Sequence, residues 1–229
     1  MALVIPSGHG FQSINFLKDL FFKYITILCK VLPFIKNNYS SFLWAKRNGM
    51  DYLIAADVNS EEVVSKTKEI NPDLIVSVSM NQIVQKEILQ MPPKRCINVH
   101  CAPLPKYAGM SPYVWALANN ENHSAATIHY MEEGLDEGDI IKQEKVAVLK
   151  KDSAFSLFSR CCHCVGQLLV QTVNDIEKSK VSSYRQDLSK KTCFSWPDKG
   201  CIKKLKNNGF KLTYVKDFLT AIFRHKPGF

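Results

Sequence analysis

Apolar positions along the chain fall into short blocks whose period changes from block to block. "ALVIP" at 2–6 runs into a Gly-containing turn at 7–11 and predicts a strand. "SINFLKDLFFKYITILCKVL" follows at helical spacing, with a stop near Pro33. "SSFLWAKRNGM" at 40–50 predicts a helix stopped by Asn48-Gly49, and "DYLIAAD" at 51–57 a short strand. "NSEEVVSKTKEI" carries a cap signal, Asn59-Ser60, with Glu61 and Glu62 in the first turn and apolar residues on one face. "PDLIVSVS" at 72–79 is a continuous β-rich run, the pattern of a strand buried on both faces. "NQIVQKEILQM" predicts a short helix closed by Pro92-Pro93, and "RCINVH" at 95–100 the next strand.

Strands and helices in alternation predict an α/β fold with a doubly wound, mainly parallel sheet. Downstream, "MSPYVWALANNE" reads as a helix with Pro112 in its first turn. "SAATIHYME" (124–132) and "IIKQEKVAVL" (140–149) read as strands on either side of the acidic Gly loop "EGLDEGD" (133–139). Asp152 and Ser153 cap a long helix that begins "AFSLFSRCCHCVGQLL". Beyond about residue 182 the pattern is irregular, then resumes in "KGCIKKLKNNG" and "VKDFLTAIF". This predicts a main domain over 1–182 and a partly helical extension over 183–229.

Length and composition agree with that division. A chain of 229 residues, 46% hydrophobic and 22% charged, suits one large globular domain with a small appendage. The apolar stretch 16–35 is interrupted by Lys18, Asp19, Lys23 and Lys30, so it reads as an amphipathic helix packed on a sheet rather than a membrane span. The net charge of +9 is concentrated in residues 190–229, which hold ten Lys/Arg against two Asp. A basic tail attracts nucleic acid, anionic lipid or a phosphorylated substrate, and is equally compatible with an ordinary solvated surface. Eight irregularly spaced cysteines read as reduced, mostly buried thiols of a cytoplasmic protein. "CCHC" at 161–164 lacks a second ligand pair at finger spacing, so no metal is expected.

The chemistry centres on "INVHCAPLPKYAG" (97–109). In a sheet of this kind ligands bind at the carboxyl ends of strands, where Asn98 and His100 fall. Two apart on a strand, they point to one face. The 133–139 loop offers Glu133, Asp136, Glu137 and Asp139. A neutral His beside a carboxylate can accept a proton, and an Asn amide suits an oxyanion developing on a carbonyl. That set fits transfer of an acyl or formyl group to an amine, with no nucleophilic serine or cysteine. Cys101 is adjacent to His100 but points to the opposite face if the strand continues. Read as turn and capping residues alone, the same side chains would carry no chemistry.

Four stretches together, "PDLIVSVSMNQIV", "CINVHCAPLPKYAG", "SPYVWALANNE" and "TIHYMEEGLDEGDII", resemble the folate-dependent formyltransferases. That family includes methionyl-tRNA, glycinamide ribonucleotide and sugar-nucleotide N-formyltransferases. The spacing matches from about 51 to 150, more weakly through 152–178. The resemblance implies that Asn98 stabilises the tetrahedral intermediate, that His100 is the proton acceptor and shuttle, and that Asp136 polarises His100 and relays a proton. It implies 10-formyltetrahydrofolate as co-substrate, held by Asn81, Gln82, Ile83 and Val84 and by the backbone of Glu132, Glu133 and Gly134. It also implies a cis Leu104-Pro105 bond.

The chain departs from the family at "CAPLP" and at Ala108, where many members have Arg, and this leaves the acceptor contacts open. The N-terminal strand reads either as the family's first strand or as its second with a leading β–α unit lost. In the second case an open sheet edge would suit a homodimer. About 45 residues after 182, with helical segments, do not make the five strands of an OB-type barrel, which weighs against tRNA. The expected acceptor is therefore a small-molecule amine, a nucleotide-linked amino sugar foremost. Methionyl-tRNA, a non-catalytic paralogue and hydrolysis of formyl-folate are the competing readings. No integral membrane association is expected.

Overall fold

The computed structural model describes residues 2–6, 45–46 and 48–217. The predicted helix over 14–35, the turn at 7–11 and most of the last helix lie outside the described residues.

The chain forms two compact units, residues 1–70 with 219–229, and residues 71–218. In the first unit β1 (Ala2–Pro6) pairs in parallel with β2 (Asp51–Ala55), Val4 opposite Leu53. A turn precedes β2, with Gly49 at φ 61 and the amide of Met50 donating to Ala45 O. Helix α1 (Glu61–Ile70) follows β2. The Ser60 hydroxyl caps it by accepting from the Val63 amide, and Glu61 and Glu62 sit in its positively polarised first turn.

The second unit holds a four-stranded sheet of order β3-β4-β6-β7, from β3 (Ile75–Val78), β4 (Cys96–His100), β6 (His123–Tyr130) and β7 (Ile140–Ala147). β3 and β4 are parallel, linked through the short helix α2 (Lys86–Leu89). β6 is antiparallel to both β4 and β7. The α/β class is as the sequence predicts, but two of the three pairings in this sheet are antiparallel, because β6 runs against the other strands: β6 and β7 form a long hairpin whose loop is the acidic Gly segment. "PDLIVSVS" is not buried on both faces. β3 is the edge of this sheet, Ser77 is buried, and Val76 and Val78 are 38% and 59% exposed.

The two faces of the sheet differ chemically because side chains alternate. Ile97, Ile128 and Tyr130 belong to the face that packs into the apolar core. There they meet helix α3 (Pro112–Ala118), helix α4 (Ala154–Glu177) and helix α5 (Lys199–Asn207) through Leu117, Leu157, Leu168 and Leu205. Helix α4 opens on a capping box between Ser153 and Ser156. Asp152, predicted as part of the cap, accepts from the Ser156 hydroxyl there and also pairs with Arg160 further along the helix.

Residues 183–217 are integral to this unit. Cys201, Leu205 and Phe210 are buried in the same core, and β8 (Cys193–Phe194) pairs in parallel with β5 (Ala108–Gly109). No helix among the described residues is long and apolar enough to cross a membrane.

Candidate active site

The polar face of the sheet is built by register. Ser77 on β3 lies opposite Asn98 on β4, and Asn98 lies opposite His129 on β6. His100 lies opposite Thr127, which in turn faces Gln143 on β7. Thr127 and Gln143 satisfy each other and the carbonyls of Ala102 and Leu104, so they tie down the loop after β4. The Leu104-Pro105 bond in that loop is cis, as the resemblance implies.

Asp136 is brought over this face by the β6–β7 loop, which folds back on its own strand. Gly138 lies so close to Tyr130 O that a Cβ there would collide with it. Asp136 itself has φ 56, a left-handed conformation that a residue with a side chain seldom adopts. Its carboxylate then meets four groups. Oδ1 is 3.5 Å from Asn98 Nδ2 and 3.6 Å from His129 Nε2. Oδ2 is 3.8 Å from His100 Nε2 and accepts from the Gly109 amide at 2.8 Å.

The ring tautomers follow from carbonyls that can only accept. His100 Nε2 lies 3.0 Å from Tyr107 O, so Nε2–H donates there. His129 Nδ1 lies 2.7 Å from Tyr130 O, so Nδ1–H donates and Nε2 is left to accept from Asn98 Nδ2 at 3.2 Å.

Burial works to raise the Asp136 carboxyl. The contact with His129, the nearby His100 and the Gly109 amide outweigh it and hold the group at about 2. His100 goes the other way. Burial lowers its proton affinity more than Asp136 and the Tyr107 carbonyl raise it, with His129 adding to the lowering. The pair therefore holds an ionised carboxylate beside a neutral imidazole, the state in which His can take up a proton. The Cys101 thiol is pushed up by the hydrogen bonds it donates to Cys161 and Cys162 and by burial, the reverse of what a thiolate nucleophile requires. The seven cysteines among the described residues are free thiols.

A cleft of about 440 Å³, solvent mouth included, opens over Asn98, His129 and Asp136. Of the residues the sequence assigns to folate, Gln82, Ile83, Val84, Glu132 and Gly134 line it. Asn81 and Glu133 are exposed and do not, Glu133 pairing with Lys86 at 3.6 Å. Met80, Met131 and Leu135 complete apolar walls that the sequence reading left out. At its floor the Ser77 hydroxyl is buried without a hydrogen-bond partner. Apolar walls around an orphaned hydroxyl are a fit for a flat, polar-edged heterocycle.

The structure thus gathers Asn98, His100 and Asp136. It adds His129, whose place on the same face as Thr127 two residues before was the one available signal, and it adds the Gly109 amide. His100 stands behind the cleft wall rather than on it.

Comparison with known proteins accords with this site. Residues 35–173 match the formyl transferase family. The chain belongs to that family. Among the relatives of this formyl transferase chain, the methionyl-tRNA formyltransferase of Halothermothrix orenii is 36% identical over 146 residues, 64% of this chain and 46% of the relative. That of Clostridium tetani is 32% identical over 180 residues, 72% of this chain and 58% of the relative. The chain spans about half the length of the curated relatives it matches. Among solved folds, a formyltransferase of Anoxybacillus kamchatkensis in complex with UDP-4,6-dideoxy-4-formamido-L-AltNAc and tetrahydrofolate aligns at TM-score 0.60 and 19% identity. The alignment covers 94% of this chain and 95% of that one. An N-formyltransferase of Helicobacter canadensis, in complex with folinic acid and dTDP-3-aminofucose, aligns at TM-score 0.59 and 21% identity, over 72% and 64% of the two chains.

Proposed function

We propose that this formyl transferase chain moves a formyl group from 10-formyltetrahydrofolate to the amine of a nucleotide-linked amino sugar, and that Asn98, His100 and Asp136 are its catalytic residues. The observation that carries this reading is the convergence of an amide, a neutral imidazole and an ionised carboxylate beside a cleft with an orphaned hydroxyl.

The chemistry divides among these groups. The acceptor nitrogen attacks the formyl carbon and the carbonyl oxygen gains charge. Asn98 supplies an N–H to that oxygen, at the expense of its long contacts to His129 and Asp136. His100, whose Nε2–H is already bonded to Tyr107 O, takes the proton released by the attacking amine at Nδ1, and Asp136 stabilises the imidazolium so formed. As the bond from carbon to the folate nitrogen breaks, the proton passes to that leaving nitrogen. The cleft holds both reactants in one place, which replaces an encounter in solution.

Two solved folds that cover most of this chain were determined with nucleotide sugars, which supports a sugar acceptor. The curated relatives, 32–38% identical, are methionyl-tRNA formyltransferases, and this favours initiator tRNA as the second reading. The deciding experiment offers 10-formyltetrahydrofolate with a panel of nucleotide amino sugars and with methionyl-tRNA, following release of tetrahydrofolate and mass of the acceptor. Formylated sugar supports the first reading. Formylated tRNA, with rates falling steeply as salt rises, supports the second. No transfer to any amine defeats both.

A further inference from the structure

The loop that carries Asp136 has three carbonyls turned away from the sheet, and all three are held by side chains from one segment, residues 184–195. Gln186 Nε2 donates to Asp136 O at 2.9 Å and to Gly138 O at 2.7 Å. Lys191 Nζ donates to Leu135 O at 2.8 Å and to Glu137 Oε1 at 2.6 Å. Gln186 is buried, and two carbonyl acceptors at its nitrogen fix which end of the amide faces the loop. Its Oε1 is left buried without a partner, so among the described residues the side chain is spent on the loop alone.

The same segment holds the other wall. Ala108 N donates to Thr192 O at 2.9 Å, Met110 N to Phe194 O at 2.8 Å, and Tyr107 N to Thr192 Oγ1 at 2.9 Å. Tyr107 O is the acceptor for His100, and Gly109 N–H is a donor to Asp136. One strand-like segment therefore touches the backbone on both sides of the His100–Asp136 pair.

We infer that Gln186 and Lys191 are positioning residues, which set the distance between Asp136 and His100 by holding the carbonyls of the 135–138 loop. The physical need is plain. Asp136 sits at φ 56, a conformation that persists only where its surroundings impose it. Turning the carbonyls of 136 and 138 outward turns the carboxylate inward. A donor that binds both carbonyls locks that turn, and the Lys191 contacts lock the residues on either side. A displacement of about 1 Å in a reacting group costs about 10²-fold in rate, so a small relaxation of this loop is visible in turnover.

This inference rests on the proposed function only for its kinetic readout, and the test separates the two. Gln186→Met keeps length and removes both donors. Lys191→Met removes the ammonium, and Lys191→Arg restores a donor. In the chain without substrate, nuclear magnetic resonance follows the Gly109 amide and the His100 ring, which faces Asp136 and His129 and no other titratable group named in the site. Both Met variants are expected to move the Gly109 signal and to shift His100 titration further down, with thermal unfolding nearly unchanged for Lys191→Met. In turnover, kcat is expected to fall about 10²-fold at similar KM, with recovery in Lys191→Arg. Wild-type Gly109 and His100 signals in both Met variants would overturn the inference. If no amine is formylated by the wild-type chain, displaced signals in the variants still uphold the positioning role while the proposed reaction fails.

Discussion

Asn98 and His129 face each other across β4 and β6, with Nδ2 and Nε2 3.2 Å apart and the His129 proton held on the far nitrogen by Tyr130 O. His129 therefore decides which end of the Asn98 amide is presented to Asp136 and to the cleft. His129→Leu leaves the Asn98 amide oriented by its long 3.5 Å contact to Asp136 alone. Formyl transfer is expected to drop about 10-fold or more, from loss of one oriented donor, and a His129→Gln variant to recover part of it. Equal rates in the Leu variant and the wild type would remove His129 from the site.

His100→Ala and Asp136→Asn are expected to lower formyl transfer by about 10²–10⁴-fold, the usual range for a lost proton-transfer group. Circular dichroism should show both variants folded. Full activity in either, with a working acceptor, would defeat the proposed roles.

Acid should destabilise the chain in two stages. His100 has a folded proton affinity below its ordinary 6.5, so the unfolded chain binds the proton first. Its contribution to stability is complete above that value and is lost as pH falls from there toward the folded titration point. Asp136 is held at about 2 against an ordinary 3.8. Its contribution is present above 3.8 and is lost as pH falls through that interval. Thermal unfolding measured from neutral pH downward should show both slopes. His100→Gln should lack the first, and Asp136→Asn the second.

Gly109 has φ 93, and a Cβ on it would collide with Phe194 O. Gly109→Ala is expected to cost at least about 1–3 kcal/mol in stability. It should also reduce activity, because its amide holds Asp136 Oδ2. Urea unfolding of the variant beside the wild type measures the first effect. An unchanged midpoint would mean that β5 and β8 do not approach as described.

Ser77→Ala should leave stability within about 1 kcal/mol, since the hydroxyl has no partner to lose. Folate affinity should fall if that hydroxyl serves the bound heterocycle. Calorimetric titration with tetrahydrofolate reads this directly, and equal affinity would place the ligand elsewhere.

The legible part of the site was the part written at short range. Asn98 and His100 are two apart on one strand, so alternation puts them on one face, and "GLDEG" lies in a single acidic loop within which the family resemblance, not composition, singled out Asp136. His129 was not found, because its role comes from pairing with a strand 31 residues away, and register is not visible in either strand alone. The Gly109 donor is a backbone group and has no side-chain signature. Gln186 and Lys191 lie where periodicity lapses, because that segment is held by contacts to loops rather than by a helix or a broad sheet. In the fold, the valines of "PDLIVSVS" misled for a related reason: apolar runs mark a strand but do not say whether it ends at the sheet's edge.

The segment that braces both walls of the site lies after residue 173, beyond the stretch matched to the formyl transferase family. Recombination that exchanged only the matched stretch with a relative would bring in a new Asp136 loop against an old brace. Chimaeras joined after α4 would inherit the proposed catalytic groups without their spacing. Transmission of the proposed site's geometry therefore requires co-transmission of a tail that lies outside the matched stretch.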